Sequence, residues 1–288
     1  MLKIIFKLFA ILSLPGAHRL GVLFGWVIYF YSPKSAKIMK ENLQTSRLAS
    51  DDKHFNKILH ENIGETGKAI LETLAIWQKK ETELLPLVKK VHDWSVVKDA
   101  LQLGKGIIFL TPHLGCFEIT SIYYGSKHPI TVLYRPPKIK ALHQFILQGR
   151  VRTGVTLAEA NAGGVRKLMQ TLKKGEAIGI LPDQIPAAGE GEWADFFGKP
   201  AYTMTLASKL AEKTGATVIM AYGERLADGE GYEIHLTKLD SIATPALLNQ
   251  AIERQIAQKP EQYLWRYNRY KIRRHAMNKE ASPNDQAD

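Results

Sequence analysis

The 288-residue chain has a single cysteine, Cys116. That excludes an internal disulfide framework and any zinc site built on paired thiolates, and it fits a reducing compartment. No glycine-rich phosphate loop and no dinucleotide fingerprint is present, so neither a nucleotide nor a metal is called for by motif. No internal repeat is seen. Acids are missing from whole stretches: the first 40 residues hold Lys3, Lys7, Arg19, Lys34, Lys37 and Lys40 and no Asp or Glu. The formal net charge is +11, which implies an anionic partner: lipid headgroups, nucleic acid, or an acidic protein or substrate.

What is present is a globular composition, with 45% hydrophobic and 23% charged residues, enough for one large α/β domain or two small ones. Two apolar runs, Leu8–Ala17 and Leu20–Tyr31, are broken by Pro15-Gly16 and His18-Arg19. As one helix, residues 1–31 would reach roughly 46 Å, more than a bilayer core of about 30 Å; the second run alone gives about 18 Å. Apolar segments flanked by cations suit an anionic membrane surface, so this stretch is expected to be a membrane anchor, interfacial or spanning; a buried core helix is the alternative.

From residue 55 the pattern is one of alternating helices and strands. Phe55, Ile58, Leu59, Ile63, Ile70 and Leu74 recur at helical spacing and predict a helix over 55–78. A short helix is expected at 95–103, then strands at 106–111, 130–134, 154–157, 177–181, 216–222 and 232–238. The helices between and after them fall at 116–125, 139–151, 163–174, 203–214, 243–258 and 261–270. Alternation of this kind predicts an α/β fold with a mainly parallel sheet covered by helices. The expected organisation is an anchor segment over 1–31, one α/β domain over 32–278, and a disordered polar tail over 279–288.

The most informative stretch is Gly104-Lys-Gly-Ile-Ile-Phe-Leu-Thr-Pro-His-Leu-Gly-Cys-Phe-Glu118. It delivers His113 at the carboxyl end of a buried strand, where open α/β sheets build their sites, with Glu118 in the first turn of the next helix. About one His-x4-acid pair is expected by chance, and four occur here: His60/Glu65, His113/Glu118, His235/Asp240 and His275/Glu280. Only His113 falls on a strand–Gly–helix junction. The pair reads as a general base with an orienting carboxylate, or as a polar turn followed by a helix-start glutamate. Backbone N–H groups of Leu114–Cys116 are candidate oxyanion donors. Cys116, three residues from the base, is a rival nucleophile.

Other strand ends carry polar groups. Strand 130–134 leads into Arg135, Pro136, Pro137 and Lys138; helix 139–151 ends near Arg150 and Arg152; strand 177–181 delivers Asp183 and Gln184. Residues 185–192 form a Gly/Ala-rich loop, closed by Phe196-Phe197-Gly198-Lys199-Pro200. The stretch 266–279, with Arg266, Arg269, Lys271, Arg273, Arg274 and Lys279 and no acid, is a candidate contact for an acidic partner. Aromatics interleaved with cations at Trp265–Lys271 also admit a non-catalytic protein that binds anionic lipid or nucleic acid.

Five motifs in order, Pro-His-Leu-Gly-Cys-Phe-Glu, Tyr-Arg-Pro-Pro-Lys, Leu-Pro-Asp-Gln, Asp-Phe-Phe-Gly-Lys-Pro and Glu-Gln-Tyr-Leu-Trp-Arg-Tyr, resemble the bacterial lipid A biosynthesis acyltransferases, late acyltransferases of the lysophospholipid acyltransferase superfamily. The resemblance runs from the N-terminus to about residue 274. It implies a glycerolipid acyltransferase-like fold and a membrane-bound transferase on the cytoplasmic face of the bacterial inner membrane. Such an enzyme would move a fatty acyl chain from acyl carrier protein, without a further cofactor, to a hydroxyl of a lipid A precursor of the Kdo2-lipid IVA type. By position it makes His113 the base and Glu118 its partner, Arg135 part of a basic substrate-binding motif, and Asp183-Gln184 the Asp-Gln motif; Lys138 and Arg150 are the accompanying substrate-binding cations. The chain departs from the family at Cys116-Phe117, where Asn-Trp is frequent, and at Ile185, where a second Asp is frequent. The same chemistry on a lysophospholipid or another glycolipid is the alternative acceptor reading.

Overall fold

The computed structural model describes residues 12–137 and 140–271. Helix α1 (Leu14–Tyr31) leads into α2 (Pro33–Ser46), α3 (Asp52–Ile76) and the single turn α4 (Glu81–Leu84). Then follow β1 (Val88–His92), α5 (Ser95–Leu103), β2 (Ile107–Leu110), α6 (Phe117–Gly125), β3 (Ile130–Tyr134) and α7 (Lys140–Arg150). The second half runs β4 (Val155–Glu159), α8 (Ala162–Lys173), β5 (Ala177–Ile180), the hairpin β6 (Gly191–Phe196) and β7 (Lys199–Met204), α9 (Leu206–Thr214), β8 (Thr217–Arg225), β9 (Tyr232–Lys238) and α10 (Pro245–Ile256).

Seven strands form one sheet in the order β1-β9-β8-β2-β5-β3-β4, and every pairing in it is parallel except β8 with β9. The expected α/β architecture is therefore present. The central strands β2 and β5 are buried along their whole length, as apolar strands sandwiched between helices must be. Their side chains alternate: Ile108, Leu110, Ile178 and Ile180 meet α2, α3, α8, α9 and α10 on one face, while Ile107, Phe109 and Ala177 meet α5 and α6 on the other.

The structure revises several expectations, while residues 1–11 of the expected anchor lie outside the described residues. Pro15-Gly16 and His18-Arg19 do not break the N-terminal apolar stretch. Ser13 caps α1 by accepting from the Gly16 N–H, Pro15 fits the first turn, and His18 turns inward. At 18 residues the helix is roughly 27 Å long, and no helix of the described residues is long and apolar enough to cross a membrane. The stretch 191–204, read partly as loop, is the β6–β7 hairpin, and β1 over 88–92 is an edge strand beside β9.

The expected helix at 261–270 is absent. Only a short 3-10 turn forms at Pro260–Gln262, and the rest is an irregular strap. Its backbone is used elsewhere. Asn42 Nδ2 donates to the carbonyls of Trp265 and Tyr267, and Asn62 Nδ2 to those of Glu261 and Tyr263. Tyr263 and Trp265 bury their rings two residues apart, a spacing an extended chain provides and a helix does not. The strap crosses the His113 turn: Leu264 N–H donates to His113 O, and Gly115 N–H to Gln262 O.

Helix α1 lies along α3 in extensive contact, through glycines. A Cβ on Gly25 would stand 2.0 Å from Ile63 O, and one on Gly67 would stand 1.9 Å from Gly21 O. Its other face is bare: Leu20, Leu23, Phe24, Val27, Phe30 and Tyr31 are exposed, spaced three or four residues apart.

Candidate active site

Strands β2 and β5 pair in parallel register with Leu110 opposite Ile180, and Thr111 N–H continues the ladder to Ile180 O. Three residues beyond each of these partners stand His113 and Asp183. Both strands end in an apolar residue, one intervening residue and a proline (Leu110-Thr-Pro-His113 and Ile180-Leu-Pro-Asp183), so the two turns deliver their polar side chains to the same point.

The carboxylate of Asp183 locks His113 at two places. Oδ1 lies 2.8 Å from the imidazole Nδ1, and Oδ2 accepts from the His113 backbone N–H at 3.0 Å. Burial pushes the Asp183 carboxyl up, but the imidazole and these hydrogen bonds outweigh it and hold the group below its usual range. An ionised Asp183 fixes the proton on Nδ1 and leaves the lone pair on Nε2. Nε2 faces the Gln184 amide nitrogen at 3.2 Å, the contact of an acceptor with a donor. The Tyr263 phenol, raised by burial and by the charge of Asp183 beside it, stays protonated under the pair.

Glu118, expected to orient the imidazole, does not occupy that place. Its carboxylate is taken by Arg150, whose Nε lies 2.8 and 3.1 Å from its two oxygens and whose Nη2 also donates to Oε1. Helix α6 starts after the turn has already aimed His113 at β5, and the glutamate projects from its first turn toward the end of α7. Asp183, expected among the substrate-binding groups, is bonded to His113 instead.

The expected oxyanion donors are likewise committed. Leu114 N–H donates to Pro112 O, Gly115 N–H to Gln262 O and Cys116 N–H to Gly223 O. Gly115 has φ +58°, and a Cβ there would lie 2.0 Å from Gly223 O, so only glycine allows this turn against β8. Cys116 is 2% exposed and burial pushes its thiol well up, which removes the thiolate a nucleophile needs.

His113 and Gln184 open into a cleft of about 660 Å³ whose wall includes Arg135, Arg150, Asn161, Glu190 and Lys209. Arg135 and Arg150 thus line the same cleft as His113; Lys138 lies outside the described residues. Arg152 is turned away and caps the end of α3 through the carbonyls of Ile76 and Lys79 at 2.6 and 2.7 Å. Lys209, on α9, escaped the sequence reading because it sits inside an amphipathic helix and not after a strand. Arg150 and Leu181 also belong to a second, narrow apolar cavity of about 40 Å³ between α6 and the sheet, lined by Phe109, Phe117, Ile122, Val132, Gly179 and Leu236 among others. Of the basic 266–279 stretch, Arg269 is buried and donates to Tyr202 O and Thr203 Oγ1, while 272–279 lie outside the described residues.

The sequence profile of the bacterial lipid A biosynthesis acyltransferases matches residues 2–272. The chain belongs to that family. Among similar lipid A acyltransferases, the lipid A biosynthesis lauroyltransferase of Escherichia coli K12 is 24% identical over 270 residues, covering 91% of this chain and 87% of its own. The lipid A biosynthesis palmitoleoyltransferase of the same organism is 26% identical over 269 residues, with the same coverage. A lipid A biosynthesis acyltransferase of Haemophilus influenzae is 25% identical over 277 residues, covering 91% and 86%. The protein is thus an acyltransferase of lipid A biosynthesis, and the non-catalytic reading is set aside.

A metal was not expected for such an acyltransferase, and the described residues nearest to a metal-binding set are His92, Glu233 and His235. The two imidazoles stack with planes 8° apart, so their in-plane lone pairs run side by side and do not converge. Each Nε2 is bonded to a carboxylate, Glu233 at 2.6 Å and Glu224 at 2.8 Å. One ring would have to turn before both could hold a single ion.

Proposed function

We propose that the protein transfers a fatty acyl chain from acyl carrier protein to a hydroxyl of a lipid A precursor of the Kdo2-lipid IVA type, with His113 as general base. The observation that carries this reading is the Asp183–His113–Gln184 line at two adjacent strand ends, opening where a cationic cleft meets an apolar slot. The acceptor hydroxyl replaces the Gln184 amide at Nε2 and gives up its proton there as its oxygen attacks the thioester carbon. The carbon–sulfur bond then breaks, and the leaving thiolate takes that proton back from the imidazolium, which Asp183 stabilises. With the turn amides committed, Arg150 serves the tetrahedral oxyanion: Glu118 holds its Nε and Nη2 and leaves Nη1 to donate. Glu118 therefore acts through the arginine.

The slot under α6 widens from its resting volume to take the acyl chain, and the phosphates of the acceptor meet Arg135 and Lys209 in the cleft. The bare apolar face of α1, with Arg19, Lys34 and Lys37 in and beside the helix, seats the enzyme in the interface of the inner membrane at its cytoplasmic face. Acidic acyl carrier protein is drawn by the same positive charge.

The test is acyl transfer from labelled acyl carrier protein to the tetra-acylated precursor in detergent, with lysophospholipid offered in parallel. His113→Ala is expected to abolish transfer to the precursor while retaining precursor binding. Undiminished transfer by His113→Ala overturns the assignment of the base, and preferential transfer to lysophospholipid overturns that of the acceptor.

A further inference from the structure

The largest buried charge cluster of the described residues lies outside the cleft, and one arm of it reaches the catalytic turn. Arg225, the last residue of β8, is 4% exposed. Its Nη2 donates to Gly115 O at 2.6 Å, two residues after His113. The same guanidinium is gripped by Glu72 of α3, with Nε 2.7 Å from Oε1, and by Glu65, with Nη1 3.2 Å from Oε2. Lys68 completes the balance of charge at 2.6 Å from Glu65 Oε1. The second oxygen of Glu72 takes the Tyr232 hydroxyl at 3.2 Å and, at 3.0 Å, Nε2 of His18. His18 belongs to α1, is 3% exposed, and its Nδ1 has no hydrogen-bond partner.

Nothing about this cluster is required by packing alone. A guanidinium can be replaced by an apolar side chain in a core at little cost, whereas a fixed fork between two carboxylates and one carbonyl sets the place of that carbonyl. The Gly115 peptide lies in the short segment that joins His113 to α6. Its N–H is held by the strap at Gln262 O, and its carbonyl is held by Arg225.

We infer that Arg225 is a positioning residue for His113, and that Glu72 and His18 carry its hold into α1, so that the seating of the membrane-facing helix sets the rate of the chemical step. The inference rests on His113 being the base. Because α1 touches α3 through Gly21, Gly25 and Gly67, its displacement draws His18 from Glu72 Oε2, leaves that oxygen to the Tyr232 hydroxyl alone, and lets the carboxylate turn and shift the arginine that holds the turn. The base then leaves its line with Gln184 without any change in the cleft that binds substrate.

The experiment measures kcat and KM for both substrates on the full-length protein, with a melting curve for each variant: His18→Ala, His18→Gln, Arg225→Lys and His113→Ala. A displaced base costs on the order of 10²-fold in rate. Arg225→Lys is expected to lose about that much of kcat with KM unchanged. His18→Ala is expected to lose about a tenth of that factor, and His18→Gln, whose amide still donates to Glu72, to regain most of it. Should Arg225→Lys fail to fold, the His18 pair decides. Wild-type kcat in folded His18→Ala, or an equal loss in His18→Ala and His18→Gln, or a loss confined to KM, overturns the inference. Full activity in His113→Ala would instead sink the reading of the base itself.

Discussion

Replacing Asp183 by asparagine keeps the side chain's shape and removes one of its two acceptors. In the native site both oxygens receive a hydrogen, from Nδ1 at 2.8 Å and from the His113 backbone N–H at 3.0 Å. An amide has only one oxygen. The backbone N–H cannot change its proton, so it keeps the oxygen, and the amide nitrogen is left facing Nδ1. The imidazole answers by moving its proton to Nε2, the atom that must take the proton of the attacking hydroxyl. The same exchange in a serine protease triad costs about 10⁴ in kcat, and a loss of about 10³–10⁴ is expected here, which is about 4–5.5 kcal/mol of barrier. Glu118→Gln still accepts from Arg150 through one oxygen and is expected to lose about 10- to 100-fold, within the range of a single weakened oxyanion donor. The assay is single-turnover transfer of a labelled acyl group to the lipid A precursor, with precursor binding measured separately. If Asp183→Asn keeps more than a tenth of the native rate while Glu118→Gln loses activity altogether, the assignment of the orienting carboxylate is wrong.

Cys116→Ala is expected to retain transfer, because a buried, protonated thiol has no part in it; accumulation of an acyl-enzyme in native protein but not in the variant would refute this. Leu23→Asp combined with Phe30→Asp places charge on the bare face of α1 and is expected to weaken co-sedimentation with anionic vesicles by at least about tenfold, with the melting curve unchanged. Glu72 is pushed up by burial but brought down to about 2 by Arg225 and His18, below its ordinary 4.5. Its contribution of roughly 3 kcal/mol is therefore complete above pH 4.5 and lost as the pH falls toward 2; urea titrations should show the native protein losing its advantage over Glu72→Gln across that window. A Cβ on Gly179 would lie 3.3 Å from Val132 Cγ2 inside the apolar slot, so Gly179→Ala is expected to slow transfer of long acyl chains more than short ones in a competition between donors.

The strands of the sheet were legible because a buried parallel strand is a short apolar run ended by a turn, and β2, β3 and β5 are of that kind, while β9 shows the alternation of a half-buried strand. His113 was legible for the same reason, as a titratable group just past such a run. Glu118 was misread as its partner because chain proximity was taken for spatial proximity, whereas helix α6 carries it off to Arg150. Asp183 carried a usable signal: it sits after β5 at the same offset and behind the same proline as His113 after β2, and adjacent parallel strands in register make equal offsets meet. The strap at 261–270 was read as a helix because its residues have no strand alternation, and its form is dictated by side chains more than 190 residues away, Asn42 and Asn62. Arg225 gave no signal, since a strand-end arginine looks like a solvated charge until two glutamates of α3 are found beneath it.

The His113 turn is held at its carbonyl by Leu264 and beneath by Arg225, and its imidazole is oriented by Asp183. All three lie C-terminal to it, the last of them some 150 residues on. During synthesis the histidine emerges well before anything that gives it a tautomer, a position or a lid. Helix α1, with its bare apolar face, is made well before the sheet, and the strap that closes the turn is made long after it. The N-terminal half of the chain is therefore synthesised while His113 still lacks every partner that fixes it, and the turn takes its final form only once the strap is in place.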